Sequence, residues 1–145
     1  MSPENAADPL GAGTEAVAPR PRRPGVLVHA RDLLFSSRIG ETARRLGIPF
    51  RAARTLDDLR AGLAGGPSLI LHDLTASDLD MTAALDAVDS AGRPAPVLAW
   101  TTHVLWKTSR PLHERCDRVV TREALTAELP ELLRRYGATS DRAPE

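Results

Sequence analysis

At 145 residues, the chain has room for one domain with a modest core. Its 19 basic and 19 acidic side chains cancel, which argues against a domain built for nonspecific nucleic-acid binding. One cysteine, Cys116, excludes both an internal disulfide framework and a cysteine-rich metal site.

The apolar fraction is an ordinary 42%, but aromatics supply only 3%, so Leu, Val, Ile and Ala must fill the core. No run approaches the roughly 18 apolar residues that cross a membrane. The start shows no charged segment followed by an apolar stretch, so no secretory leader is expected and the cytoplasm is the default location.

Residues 1–24 are rich in Pro, Gly, Ala and charge, ending in Arg20-Pro-Arg-Arg-Pro24, and read as a disordered arm. The domain then runs over 25–137, and 138–145 read as a flexible tail. Val26 to Ala30 is a short apolar run, expected as a buried strand. Over 32–46, Leu33, Leu34, Ile39, Ala43 and Leu46 recur at helical spacing, and Gly47 with Pro49 marks the stop. Ile48 to Ala53 is a second strand. Thr55 and Asp58 resemble a capping box that opens a helix to about Ala64. Ser68 to His72 is a third strand, apolar enough to be central.

A helix follows from about Asp78 to Ser90, closed by Gly92-Arg-Pro-Ala-Pro96. Val97 to Trp100 forms a fourth strand with Pro96 at its start. A short helix spans roughly Val104 to Arg115, and Arg118 to Val120 is a fifth strand. A last helix holds Leu129, Leu132, Leu133 and Tyr136, with Pro130 near its beginning. Strand and helix alternate throughout, which implies a parallel sheet covered on both faces. The expected architecture is an α/β, flavodoxin-like three-layer sandwich with five parallel strands in the order 2-1-3-4-5. Ligands and switch chemistry then belong at the carboxyl ends of strands one and three.

Asp73 stands at that point, after Leu69-Ile-Leu-His72. A carboxylate there suits a phosphate acceptor, a metal ligand or half of an ion pair, and equally an Asp that caps the next loop. Thr101 follows the fourth strand and can offer a hydroxyl to Asp73, or simply end the strand. Arg122 follows the fifth strand and can bring a cation to the same crevice, or sit solvated at a helix start. His29 and His72 fall on neighbouring strands, but without a third ligand they read as histidines bonded to backbone. His103 and His113 read as surface residues, and Cys116 as a buried, inert thiol. No nucleophile elbow, phosphate-binding Gly loop or dinucleotide fingerprint occurs, so no enzyme is expected.

An Asp ending strand three, a Thr after strand four and a cation after strand five resemble the receiver domains of bacterial response regulators. Leu79-Asp80, where the family often has Met-Asp, and Pro96-Val-Leu98 add to the resemblance, which covers roughly 25–136. The resemblance implies that Asp73 occupies the phospho-acceptor position, that Thr101 responds to it, and that Arg122 replaces a Lys, or Thr121 does if the strand shifts by one. It also implies an acidic pair after strand one that holds Mg²⁺. Here those places fall on Ala30 and Arg31, with only Asp32 acidic one residue later. Ala76-Ser77 stands where the family has Met-Pro, and Met81 where it has Gly.

The expected crevice is therefore Asp73 with Arg31, Asp32, Thr101 and Arg122. Arg31 in the metal's place would pair with Asp73 and lower its pKa; the alternative is that Arg31 points to solvent. Trp100, His103, Trp106 and Lys107 gather near the strand-four crossover, either filling core or anchoring an interface. The family's partner face lies there, which implies Trp106 and Lys107. The leading expectation is a stand-alone pseudo-receiver with no cofactor, acting through a protein partner or self-association, without nucleic acid or membrane. One alternative is a phospho-accepting regulator using Asp73, with Mg²⁺ in an atypical site formed with Asp32. Another is a small flavodoxin-like ligand-binding protein or enzyme.

Overall fold

The computed structural model describes residues 25–76 and 79–137. The arm expected over 1–24 and the tail over 138–145 lie outside the described residues. The elements alternate as β1 (Val26–His29), α1 (Leu33–Arg45), β2 (Phe50–Ala53), α2 (Leu56–Ala64), β3 (Leu69–Asp73), α3 (Met81–Ser90), β4 (Val97–Thr101), α4 (Trp106–His113), β5 (Arg118–Thr121) and α5 (Arg122–Gly137). All strand pairs are parallel, in the order β2-β1-β3-β4-β5. This is the expected 2-1-3-4-5 sheet.

Composition decides which strands lie inside. β1, β3 and β4 are buried along their whole length, as near-continuous apolar runs covered on two faces must be. The edge strands β2 and β5 expose Arg51, Ala52 and Arg118. One face of the sheet packs Val28, Leu71 and Trp100 against Phe35 and Ile39 of α1 and Leu125, Leu129 and Leu133 of α5. The other packs Leu27, Ile70 and Ala99 against Leu59 and Leu63 of α2 and Leu85 and Val88 of α3. Each buried Val, Leu, Ile or Phe among them contributes roughly 1.5–3 kcal/mol.

Helix ends follow local chemistry. Asp32 caps α1 by accepting the Phe35 N–H at 3.0 Å. Thr55 caps α2 through the Asp58 N–H at 3.0 Å, while the Asp58 carboxylate accepts the N–H of Arg54, one residue before the cap, so only the Thr55 half of the expected capping box forms. Gly47 adopts φ 72°, which lets the Ile48 N–H turn back to the Ala43 carbonyl and end α1. Gly62 is needed for another reason: a Cβ there would sit 2.4 Å from Leu27 Cδ1, where α2 crosses β1.

Strand β2 starts at Phe50 rather than Ile48, and three helices differ from expectation. Helix α3 starts at Met81, because the Asp80 carboxylate takes the Ala83 N–H at 2.9 Å. Helix α4 is shorter than 104–115. Helix α5 starts at Arg122, where the Thr121 hydroxyl accepts the Ala124 N–H at 3.2 Å, so Pro130 falls in mid-helix. A mid-helix Pro loses one backbone bond. Burial of Leu125, Leu129, Leu132 and Leu133 holds the helix together regardless. No helix among the described residues is long and apolar enough to cross a membrane.

Candidate functional site

The strand register brings the expected residues to one end of the sheet. His29 is opposite His72, Asp73 opposite Trp100, and Thr101 opposite Thr121. Ala30 follows β1 beside the end of β3. Asp73 is the last residue of β3 and is only 1% exposed. Its Oδ1 accepts the Thr75 N–H at 2.8 Å and the Thr75 hydroxyl as well. Burial pushes the Asp73 carboxyl above its ordinary pKa. The two Thr75 bonds and the Arg122 charge pull it down, and the Asp32 charge adds to the rise.

Arg122 opens α5 and turns to the start of α1. Its Nη2 lies 3.4 Å from Asp32 Oδ2, and its Cζ lies 5.1 Å above the Phe35 ring centroid. Phe35 in turn packs on Trp100 with centroids 5.0 Å apart. A charged pair thus rests on an aromatic shelf whose inner member is the register partner of Asp73.

This corrects the expected Arg31–Asp73 pair. Arg31 is exposed, and the charges acting on Asp73 are those of Arg122 and Asp32. The expected lowering of the Asp73 pKa is likewise replaced by a rise, because burial outweighs the nearby cation. Thr101 is fully buried, and its hydroxyl has no partner, so the expected bond to Asp73 is not made. Trp100 is core, whereas Trp106 is half-buried and Lys107 exposed on α4, outside the crevice.

Trp106 meets the His113 ring edge-on at 4.8 Å, and His113 Nε2 lies 2.8 Å from the Ser109 hydroxyl. His113 is therefore half-buried rather than a plain surface residue, while His103 is exposed. Cys116, half-buried rather than buried, donates to the Leu112 carbonyl, and burial pushes its thiol up to about 11. His29 and His72 bond to each other, not to backbone.

Sequence reasoning missed Thr75 and Phe35. Thr75 stands two residues after Asp73, the spacing of an Asx-type turn, so a local rule was available to find it. Phe35 stands three residues after the Asp32 cap, one helical turn away. Its stacking under Arg122 joins residues 87 positions apart and had no local sign.

No protein-family model matches the sequence, and no curated protein matches it. Solved structures do. The receiver domain of NtrX from Brucella abortus superposes with a TM-score of 0.66 at 18% identity, over 79% of this chain and 98% of that one. The receiver domain of the sensor histidine kinase PA1611 from Pseudomonas aeruginosa, solved with a magnesium ion in its active-site cleft, gives 0.65 at 19% identity, over 78% and 96%. The receiver domain of Saccharomyces cerevisiae Ssk1, crystallised with the histidine phosphotransfer protein Ypd1, gives 0.64 at 18% identity, over 82% and 92%. This chain has the fold of the response-regulator receiver domains.

Proposed function

We propose that this domain is a receiver-like signalling module that acts by docking a protein, with its crevice held in one state by its own charges. The observation that carries this reading is the Asp32–Arg122 pair on the Phe35 ring. Phosphoryl transfer to a carboxylate concentrates negative charge, which a divalent ion normally spreads. Mg²⁺ demands octahedral oxygen donors with well-placed carboxylates. Ala30 offers none. Asp32 gives one oxygen to the α1 cap and the other to Arg122, and Asp73 gives Oδ1 to Thr75. These residues do not fit the ion, and the guanidinium supplies the positive charge instead.

The docking face is α4 and the loop before it. Val104 is 87% exposed, Lys107 is exposed and Trp106 half-buried. The helix has no side-chain cap, contains Pro111 and buries only Ser109, so little free energy resists its adjustment to a partner. Protein partnership also has a precedent in the fold, since the Ssk1 receiver is seen bound to Ypd1. A second copy of the chain is the other occupant to test for on the same face.

Two measurements test the reading. Incubation with acetyl phosphate and Mg²⁺, followed by intact-mass analysis, is expected to leave Asp73 unmodified. Capture of partners from the chain's own cell extract is expected to fail for Trp106→Ala while its circular dichroism stays unchanged. Stoichiometric, Mg²⁺-dependent phosphorylation of Asp73 would overturn the first half. Full partner retention by a folded Trp106→Ala variant would overturn the second.

A further inference from the structure

His29 and His72 face each other across β1 and β3, with Nδ1 atoms 3.2 Å apart and rings set edge-to-face at 5.3 Å. Both are buried, and both Nε2 atoms lack a partner. A bond between two Nδ1 atoms requires exactly one proton on that line, so two neutral rings must be opposite tautomers. One then carries Nδ1–H and the other Nε2–H. Protonating both rings would put a proton on each Nδ1, break the bond and set two cations against each other in an apolar layer.

We propose that His29 and His72 form an acid-sensitive pin between two inner strands: with one proton between them they hold the carboxyl end of the sheet closed, and protonation of both rings forces it open. The inference does not depend on the docking reading. Two residues earlier on each strand, Leu27 and Ile70 pack against α2 and α3, and the pleat puts the imidazoles on that same face. The charged groups of those helices, Asp57, Asp58 and Arg60 on α2 and Asp86 and Asp89 on α3, are all exposed. β2 brings only exposed Arg51 and β4 only Thr101. Arg93, in the α3–β4 loop, is the other charge that acts on His72, and it too opposes protonation. Among the described residues no carboxylate is placed to stabilise the doubly protonated pair.

Burial lowers His29 to about 4 and His72 to about 3 from the ordinary 6.5. The unfolded chain therefore binds more protons than the folded one below about 6.5. Stability is fully present above that value and is lost as pH falls toward the folded values.

The test is carried out on the full chain. Long-range proton–nitrogen spectra of the rings are expected to show opposite tautomers, with neither ring titrating near 6.5 in the folded state. Urea melts are expected to show the folding equilibrium constant falling by up to about tenfold per pH unit for each imidazole. The double variant His29→Leu, His72→Leu is expected to lose the share of that slope that the two imidazoles contribute. Rings that titrate at the ordinary value in the folded chain would overturn the proposal, as would an unchanged pH slope in the double variant. Should that variant fail to fold, the ring spectra of the unaltered chain decide alone.

Discussion

The two ends of the sheet treat polar groups in opposite ways. At the amino end, Arg115 bonds Asp86 at 2.8 Å and Asp89 at 2.7 Å, and Arg93 bonds Asp89, Asp117 and the Arg115 carbonyl. Asp117 also accepts the Val97 N–H at 2.7 Å. These groups are largely exposed and every one is partnered. At the carboxyl end, His29 Nε2, His72 Nε2, Trp100 Nε1, Thr101 Oγ1 and Arg122 Nε are buried without partners. They make up all such side-chain atoms among the described residues. Leaving a buried donor or acceptor unpaired costs about 1–3 kcal/mol. The amino end is an exposed network that ties α3 to the loop before β5. The carboxyl end concentrates unspent hydrogen-bonding capacity, which is where a switch or a ligand would act.

Substitutions at the two ends break or sharpen this contrast. The largest expected effect is Trp100→Ala, which empties the centre of the aromatic shelf. It should cost about 3–5 kcal/mol in urea unfolding. A loss under about 1 kcal/mol would mean the shelf is not a packing centre. Next is Asp73→Asn, which keeps an acceptor for Thr75 and removes a buried charge. It should stabilise the domain by roughly 1–2 kcal/mol at neutral pH. Because the folded Asp73 pKa is raised, that gain should vanish as pH falls through the folded value and the carboxyl becomes neutral by itself. Destabilisation at neutral pH would show that the ionised carboxylate is stabilised by the site.

Asp32→Ala removes the α1 cap and the partner of Arg122 together, with an expected loss of about 1 kcal/mol. The Phe35 N–H should then exchange faster with solvent. The smallest effect is expected at the amino end. Arg115→Ala should shift the urea midpoint only slightly, and the shift should shrink further in high salt, since exposed pairs are screened. An Arg115→Ala loss as large as that of Trp100→Ala would erase the contrast between the two ends.

The sheet was largely legible in the residues. Apolar runs such as Leu69-Ile-Leu71 and Val97-Leu-Ala99 identify buried strands, and Thr55, Gly47 and Asp58 announce helix ends through chemistry confined to a few positions. The helix containing Pro130 was misjudged because a mid-helix proline is tolerated only through packing of leucines on distant strands. The same limit applied to the site. Alternation placed Asp73, Thr101 and Arg122 at one end, but which cation faces which carboxylate depends on the exit angles of two loops. Arg31, one residue after the Ala30 position, is exposed and is not among the charges that act on Asp73. Arg122, at the first turn of α5, returns to it.

In the proposed function the Arg122 guanidinium, held by Asp32, supplies the positive charge that a metal ion would bring beside Asp73. The most direct test of that reading is a Mg²⁺ titration of the folded chain, followed on the side-chain carboxyl carbons of Asp32 and Asp73 and the guanidinium signals of Arg122. The account predicts no saturable shift at millimolar Mg²⁺ and an Arg122 signal that stays paired throughout. Saturable shifts on both carboxyl carbons, with release of the Arg122 guanidinium, would contradict it.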